Sequence, residues 1–128
     1  MVKISKDVYY SKNDEWVKDE GSDIVTIGIT DYAQDQLGDI VYIEEIKLGN
    51  KISKGDVLTT VESVKAVSDV YSPIGGEVVE INQNVIDDPS IVNQDPFGAG
   101  WFAKIKINNP DEIKELMTVS EYTEFRKE

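Results

Sequence analysis

The chain has 128 residues, of which 40% are hydrophobic and 30% charged, a composition typical of one soluble globular domain with a single core. Its formal net charge of −12 argues against a surface that binds nucleic-acid phosphates or anionic membranes. With no Cys and no His, the chain lacks disulfides, thiolate or imidazole metal ligands and a Ser–His or Cys–His nucleophile. These absences weigh against a self-contained enzyme, and we expect neither a metal site nor catalytic residues.

No apolar run approaches the roughly 20 residues that a membrane helix needs. Residues 1–7 have neither the apolar stretch of a signal peptide nor the basic amphipathic pattern of a transit peptide. We therefore expect a cytoplasmic protein, or a mitochondrial one only if a leader has been removed. Residues 1–128 are expected to form a single domain with its core at about 22–107.

Five short runs rich in β-branched residues alternate with turn signals and predict strands. In chain order these runs are Asp23–Ile29, Ile40–Ile43, Val57–Val61, Glu77–Ile81 and Trp101–Ile107. After the first run, Thr30 can cap a short helix that ends at Leu37, with Gly38 just beyond it. So many strands in a small domain favour a mainly β sandwich or barrel.

Two further helices are predicted near the C-terminus, at about 110–127. Asn109 can cap the first, with Pro110 at its first position and an apolar stripe formed by Ile113, Leu116 and Met117. The segment Thr118-Val119-Ser120-Glu121 fits a capping box and opens a last helix that carries Tyr122 and Phe125 on one face.

A weak internal repeat relates the two halves of the chain. Gly38–Glu44 is similar in residue type to Gly76–Asn82. We expect two antiparallel half-sheets related by a pseudo-twofold axis, with the segment between them, residues 62–70, projecting as a hairpin. Within it, Ser63–Ala66 is predicted as the turn, which places the Lys65 amine in solvent. From pattern alone this is an ordinary exposed lysine.

The hairpin segment has a specific resemblance. Glu62-Ser63-Val64-Lys65-Ala66, followed by Ser68-Asp69 and by residues 72–78, is similar to the lipoylation segment of the glycine cleavage system H protein family. Residues 26–34, 37–39 and 93–101 resemble further family blocks, as do Pro110-Asp111-Glu112 and Glu121-Tyr122, so the resemblance extends over essentially the whole chain. It implies a flattened barrel-sandwich hybrid of the lipoyl/biotinyl type, with short helices after residue 30 and at the C-terminus.

Two competing families share this architecture. Biotinyl domains usually centre their lysine between methionines, whereas Lys65 lies between Val64 and Ala66. Lipoyl domains of 2-oxo acid dehydrogenases tend to be shorter and to place an acidic residue directly before the lysine. The blocks at Gly28–Gln34 and Gly98–Trp101 belong to neither competitor.

The resemblance implies a non-catalytic carrier in which lipoate is attached to Lys65 through an amide. Glu62, Ser63, Val64 and Ala66 would serve recognition by a lipoate ligase or a lipoyl/octanoyl transferase. The lipoyl-lysine would accept an aminomethyl group from the glycine decarboxylase (P protein). It would deliver that group to the tetrahydrofolate-dependent aminomethyltransferase (T protein) and be reoxidised by dihydrolipoyl dehydrogenase (L protein). A monomer with transient contacts suits three partners, because tight binding would stall the cycle.

The family also docks its loaded arm, and the corresponding positions here are Asn13, Glu15 and Asp69. Glu15 and Asp69 would accept the ammonium group, and Asn13 would contribute a hydrogen bond. This sequence departs from the family in that block, with Asp14 in place of the usual histidine and Asn13 in place of a hydroxyl residue. Asp14 could strengthen ammonium binding or be a simple surface change.

Two other functions remain open from the sequence. A related carrier could serve as a scaffold on which lipoate is assembled and relayed to other proteins, and its Lys65 segment would look the same. An unmodified interaction domain that retains the fold is the third class, and no sequence feature supports it.

Overall fold

The computed structural model of the chain describes residues 3–126. Within that part, nine strands form two antiparallel sheets with five short helices. The strands are β1 Tyr9–Tyr10, β2 Glu15–Gly21, β3 Ile24–Ile29, β4 Ile40–Ile43, β5 Lys51–Ile52, β6 Val57–Ser63, β7 Val67–Tyr71, β8 Gly76–Ile81 and β9 Ala103–Ile107. The helices are α1 Asp31–Leu37, α2 Gln83–Asp87, α3 Ser90–Gln94, α4 Asp111–Lys114 and α5 Val119–Phe125.

The two sheets differ in size. One has six strands in the order β1-β2-β3-β9-β8-β5, and the other has three in the order β4-β6-β7. Because side chains alternate along a strand, each sheet turns a row of apolar residues inward, and both rows enter one core. Its fully buried members include Ile27, Ile43, Val61 and Ile105. The predicted mainly β fold, with two antiparallel sheets and short helices, is confirmed.

The predicted repeat has a counterpart in strand pairing. In the β4–β6 pair, Ile40, Tyr42 and Ile43 lie opposite Ser63, Glu62 and Val61. In the β8–β9 pair, Val78, Glu80 and Ile81 lie opposite Ile105, Lys104 and Ala103. In each pair one residue has no partner on the opposite strand, which forms a β-bulge: Val41 in β4 and Val79 at the equivalent point of β8. The two copies therefore repeat one pairing geometry, each in a different sheet.

Two of the three predicted helix caps, Thr30 and Thr118, are confirmed. The third differs, because α4 begins at Asp111 and its N-cap is Pro110, which was predicted at the first helical position after Asn109. The Thr30 hydroxyl accepts a hydrogen bond from the Ala33 amide at 3.1 Å and begins α1. At the other end of the chain, the Thr118 hydroxyl accepts from the Glu121 amide at 3.2 Å, and the Glu121 carboxylate accepts from the Thr118 amide at 2.9 Å. This reciprocal capping box satisfies two amides that otherwise lack a partner in the first turn.

The predicted helical stripe through Met117 is wrong. The helix α4 ends at Lys114. The Met117 amide donates to the Tyr10 carbonyl at 2.8 Å, and its carbonyl accepts from the Tyr10 amide at 2.9 Å. Pairing with β1 requires an extended backbone, so Met117 lies outside the helix. The helical segment was expected to reach about residue 127, and that residue lies outside the described part of the chain.

A second, smaller core holds the C-terminal helix. It consists of Val8, Tyr10, Trp16 and Tyr122, with Met117 packed against it. The Tyr10 and Tyr122 rings stack at a centroid distance of 4.0 Å and an interplanar angle of 5°. This cluster joins β1, β2 and α5. Across residues 3–126, every helix is too short or too polar to span a lipid bilayer.

Candidate functional site

The predicted hairpin is present, and Lys65 lies at its exposed tip. Strand β6 ends at Ser63 and β7 begins at Val67, which leaves residues 64–66 as the turn. The Ser63 hydroxyl accepts hydrogen bonds from the Lys65 amide at 3.3 Å and the Ala66 amide at 3.1 Å. The Ser63 amide donates to the Ala66 carbonyl at 2.8 Å. A small hydroxyl residue therefore closes the turn and fixes the backbone that carries Lys65.

The hairpin tip rests on the end of α1. The Val64 amide donates to the Asp39 carbonyl at 3.0 Å. Gly38 has a φ of +78°, and a β-carbon at that position would lie 3.4 Å from Cε and 3.9 Å from Nζ of Lys65. Glycine is thus favoured here by its backbone conformation, while the lysine stem lies at ordinary contact distance from that position. Among residues 3–126, no carboxylate lies within ion-pair distance of the Lys65 amine.

A groove beside the hairpin brings the three predicted docking residues together. Its volume is about 190 Å³, and Asn13, Glu15 and Asp69 all line it. The groove lies between β7, α1 and the turn that precedes β2. Its apolar lining consists of Ile29, Ala33, Leu37 and Val70. Leu37 is the neighbour of the glycine that Lys65 covers, so the groove begins beside the lysine. The docking role itself stays a prediction.

Glu15 is the buried carboxylate of the groove. Only 2% of the residue is exposed. One carboxylate oxygen accepts from the Ser11 hydroxyl at 2.6 Å, and the other accepts from the Tyr71 amide at 3.1 Å. Burial raises the pKa of Glu15, and the two hydrogen bonds partly oppose that shift because they stabilise the charged form. A carboxylate has about four acceptor sites, so Glu15 can still accept from a cationic group.

Asp69 is the exposed carboxylate of the same groove. It lies on β7, and its side chain accepts a hydrogen bond from the Thr60 hydroxyl at 3.0 Å. Thr60 is its partner across the β6–β7 pair, so the strand register orients this carboxylate. Asp69 follows Lys65 by four residues, which is at most about 13 Å of extended chain. The lysine stem and both carboxylates therefore lie along one short path.

Asp14 also lines the groove, but it is neither an unpaired charge nor a surface residue. It is 8% exposed. Its carboxylate accepts from the Tyr122 hydroxyl at 2.7 Å and from Nε of Arg126 at 3.0 Å, with a second hydrogen bond from Nη2 of Arg126. The Arg126 guanidinium also lies 4.0 Å from the centroid of the Tyr32 ring. Sequence reasoning missed these partners, because nothing in one sequence links positions more than 100 residues apart.

Within residues 3–126, no group of three or more Asp or Glu side chains is placed to hold a metal ion. A second cavity, of about 260 Å³, is also lined by Asn13 and Glu15 and reaches Lys54, Leu116 and Met117. Of these two cavities, the 190 Å³ groove is the one that Asp69 lines.

Comparisons with known proteins agree with this geometry. The family model described as "Glycine cleavage H-protein" matches residues 8–128. A glycine cleavage system H protein from Thermoanaerobacter sp. strain X514 is 51% identical over 127 residues, which cover 99% of each chain. One from Carboxydothermus hydrogenoformans is 48% identical over 128 residues, covering 100% of this chain and 98% of that one.

Solved structures give the same result. The crystal structure of a glycine cleavage system H protein from Mycobacterium marinum superposes with a TM-score of 0.86 at 35% sequence identity. The match covers 95% of this chain and 98% of the other. The family model, the relatives and the fold all coincide over nearly the full length of the chain. The chain therefore belongs to the glycine cleavage H-protein family.

Proposed function

We propose that this chain is the lipoyl-bearing carrier of glycine cleavage and that lipoate is joined through an amide to Nζ of Lys65. The observation that carries the proposal is the position of Lys65, exposed on a hairpin tip whose strand β7 contributes Asp69 to the neighbouring groove. Membership of the H-protein family supports the same conclusion. When bound, the cofactor supplies a disulfide–dithiol pair, which this cysteine-free chain lacks.

In this proposal the chain shuttles between three enzymes and catalyses no step itself. It receives an aminomethyl group at the glycine decarboxylase and passes it on at the aminomethyltransferase. Dihydrolipoyl dehydrogenase then returns the carrier to its oxidised form. The attachment of lipoate requires a lipoate ligase or a lipoyl/octanoyl transferase. A monomer with small, transient contacts serves these partners best.

The residues around Lys65 fit an acylated lysine. Acylation removes the positive charge of the amine. Because the described structure pairs that amine with no carboxylate, acylation breaks no ion pair. Val64 and Val67 are each 68% exposed, and Ser63 and Ala66 are small, so a modifying enzyme can approach the tip closely. We assign Glu62, Ser63, Val64 and Ala66 to recognition of the modification site.

The groove is suited to protect a cationic cargo from water. Its apolar lining excludes solvent, while Glu15 and Asp69 provide acceptors for an ammonium group. Hydrogen bonds between ionised partners are about twice as strong as neutral ones, and the low polarity of a partly buried site strengthens them further. Asn13 contributes one more polar group at the rim. The carboxylates of this chain therefore bind and orient the cargo.

The charge around the hairpin also suits its proposed partners. Glu62, Asp39 and Asp69 are exposed close to the lysine. With a net charge of −12, the chain is attracted to enzymes that surround their active-site entrance with positive charge. Such steering raises the rate of encounter without requiring a large interface, which is what a carrier needs.

The direct test is the intact mass of the protein after co-expression with a lipoate ligase in medium containing lipoate. We expect a mass increase of one lipoyl amide in the natural sequence and none in Lys65→Arg. Lys51→Arg, at an exposed lysine on another sheet, is the matched control and should be modified normally. A folded natural sequence that gains no mass with an active ligase would contradict the proposal.

The docking role needs a separate test on the loaded protein. Glu15→Gln and Asp69→Asn should each release the aminomethyl cargo to water faster than the natural sequence. Glu45→Gln, at an exposed carboxylate between β4 and β5 that does not line the groove, is the control. Equal release rates in all four proteins would exclude docking at Glu15 and Asp69 and leave the lipoylation result intact.

A further inference from the structure

A charged pair, Asp14 with Arg126, lies at the wall of the groove, and the proposed carrier function does not use it. Asp14 is buried between two groove residues, Asn13 and Glu15, and its own carboxylate is held by Tyr122 and Arg126. A buried ion pair is costly to desolvate and is weak evidence for stability by itself. Its position next to both proposed docking residues suggests a role in placing them.

The backbone of Asp14 is fixed from two directions. Its φ is +64°, a left-handed conformation that Asp tolerates better than most residues. Its amide donates to the Ser11 carbonyl at 3.2 Å, and its carbonyl accepts from the Thr30 amide at 2.9 Å. Ser11 in turn donates to the Glu15 carboxylate. A displacement of Asp14 would therefore be transmitted to Glu15 through one short turn.

Arg126 reaches this turn from a helix that is anchored independently. The Thr118 capping box and the Tyr10–Tyr122 ring stack hold α5 without any contribution from Arg126. From that base the guanidinium binds the Asp14 carboxylate through two nitrogens and lies over Tyr32, which lines the groove on α1. Arginine suits this position because its planar fork binds carboxylates through two donors and stacks on aromatic rings.

We propose that Arg126 is a positioning residue for the cargo groove: by clamping Asp14 between α5 and α1, it fixes the turn that presents Asn13 and Glu15. The effect on the cargo rests on the proposed carrier function, whereas the contact between Arg126 and Asp14 is present in the unmodified chain. The same contact pairs the Asp14 carboxylate, which also lines the groove, with Arg126. Within residues 3–126 no lysine or arginine forms an ion pair with Glu15 or Asp69, so these two carboxylates stay available to the ammonium group.

The test combines Arg126→Met, Asp14→Asn and the double variant, with Arg126→Lys as a rescue. Lys114→Met removes one exposed cation from α4 and is the control for net charge. The first readout is amide hydrogen exchange by NMR in the unmodified proteins. It follows the Thr30 amide, which is bonded to Asp14, and the Tyr71 amide, which is bonded to Glu15. Amides of the β8–β9 pair report on global stability.

The second readout is the rate at which the loaded, lipoylated protein releases its cargo. If Arg126 clamps Asp14, each single variant should show faster amide exchange at Thr30 and Tyr71 and unchanged exchange in the β8–β9 pair. Each should also release its cargo about tenfold faster than the natural sequence, as expected when one charge-assisted hydrogen bond is lost. The double variant should equal the single ones, because both substitutions break the same contact. Arg126→Lys should recover part of the protection.

Other outcomes overturn the inference. If Arg126 acted only through its charge, Asp14→Asn and Arg126→Met would change the release rate in opposite directions. Unchanged exchange at Thr30 and Tyr71 in Arg126→Met would show that the turn does not depend on the clamp. A natural sequence that takes up no lipoate would instead refute the proposed function, and the exchange experiment would still decide the clamp.

Discussion

The packing of Trp16 on Gly28 allows a quantitative prediction about the strand pair that supports the groove. Gly28 lies opposite Trp16 in the β2–β3 register, and Trp16 follows Glu15 directly. A β-carbon at position 28 would lie 2.6 Å from Cε2 and Cζ2 of the indole and 2.7 Å from Nε1. The indole is 1% exposed, and its nitrogen donates to the Pro96 carbonyl at 3.0 Å, so the ring cannot move aside.

Gly28→Ala should therefore destabilise the protein by about 1–3 kcal/mol, the usual cost of overpacking a well-filled core. In a Trp16→Leu background the same substitution should cost less than about 0.5 kcal/mol, because leucine ends at its δ-carbons and lacks the three ring atoms that clash. The coupling free energy between the two positions is then at least about 1 kcal/mol.

Urea denaturation of the natural sequence, the two single variants and the double variant measures this coupling free energy. The measurement requires that the slope of unfolding free energy against urea concentration is the same in all four proteins. Trp16→Leu is itself expected to be destabilising, since it leaves a cavity and an unpaired Pro96 carbonyl. Strictly additive effects of the two substitutions would refute the reasoning, because they would mean that the indole is not what excludes a side chain at position 28.

Three further outcomes follow from the site. Burial raises the pKa of Glu15, so its contribution to stability is fully present below its unfolded-state pKa and is lost as the pH rises through the folded-state value. Above about pH 4.5 the unfolding free energy of the natural sequence should therefore fall relative to that of Glu15→Gln, as measured by urea denaturation at a series of pH values. A constant difference between the two proteins across that pH range would contradict this. Gly38→Ala and Gly49→Ala both place a side chain at positive φ, so each should lower the unfolding free energy by about 1–3 kcal/mol in urea titrations, and unchanged midpoints would contradict this. Thr118→Ala should cost about 1 kcal/mol of unfolding free energy, since it removes one half of the capping box, and an unchanged urea midpoint would be inconsistent with that box.

Local signals in the sequence were sufficient for several elements. Strand β4 is present as predicted, α1 begins after the Thr30 cap, and the turn at Ser63–Ala66 presents Lys65. In each case the signal lies within a few residues. It is a β-branched run between turns for β4, a threonine whose hydroxyl accepts from the amide three residues later for α1, and a small hydroxyl residue that closes the hairpin for the Lys65 turn. Such features are fixed by local sterics and hydrogen bonding.

Elements that depend on distant partners were not predicted. Strand β2 has charged residues at Lys18, Asp19 and Glu20, which hide its strand pattern, and it forms by pairing with β3. The helices α2 and α3 are five residues each, too short for a helical period to be visible. Met117 was assigned to a helix because its pairing with Tyr10 joins positions far apart in the chain.

The candidate site shows the same division. Family resemblance identified Asn13, Glu15 and Asp69 as docking residues, and the structure places all three on one groove. Single-sequence reasoning could not show that Glu15 is buried or that its carboxylate is bonded to the backbone of Tyr71. Nor could it pair Asp14 with Arg126, since charge complementarity between two positions is visible only after the chain has folded.

The central claim, that this chain carries the one-carbon unit of glycine between enzymes, is tested most directly by transfer of labelled carbon in a reconstituted mixture. The lipoylated protein is combined with the glycine decarboxylase, the aminomethyltransferase, tetrahydrofolate and glycine labelled at its methylene carbon. The partners are first checked with an H protein that supports the reaction. We predict label in the tetrahydrofolate product with the natural sequence and none with Lys65→Arg. A fully lipoylated protein that transfers no label would contradict the account and favour a carrier that only relays lipoate.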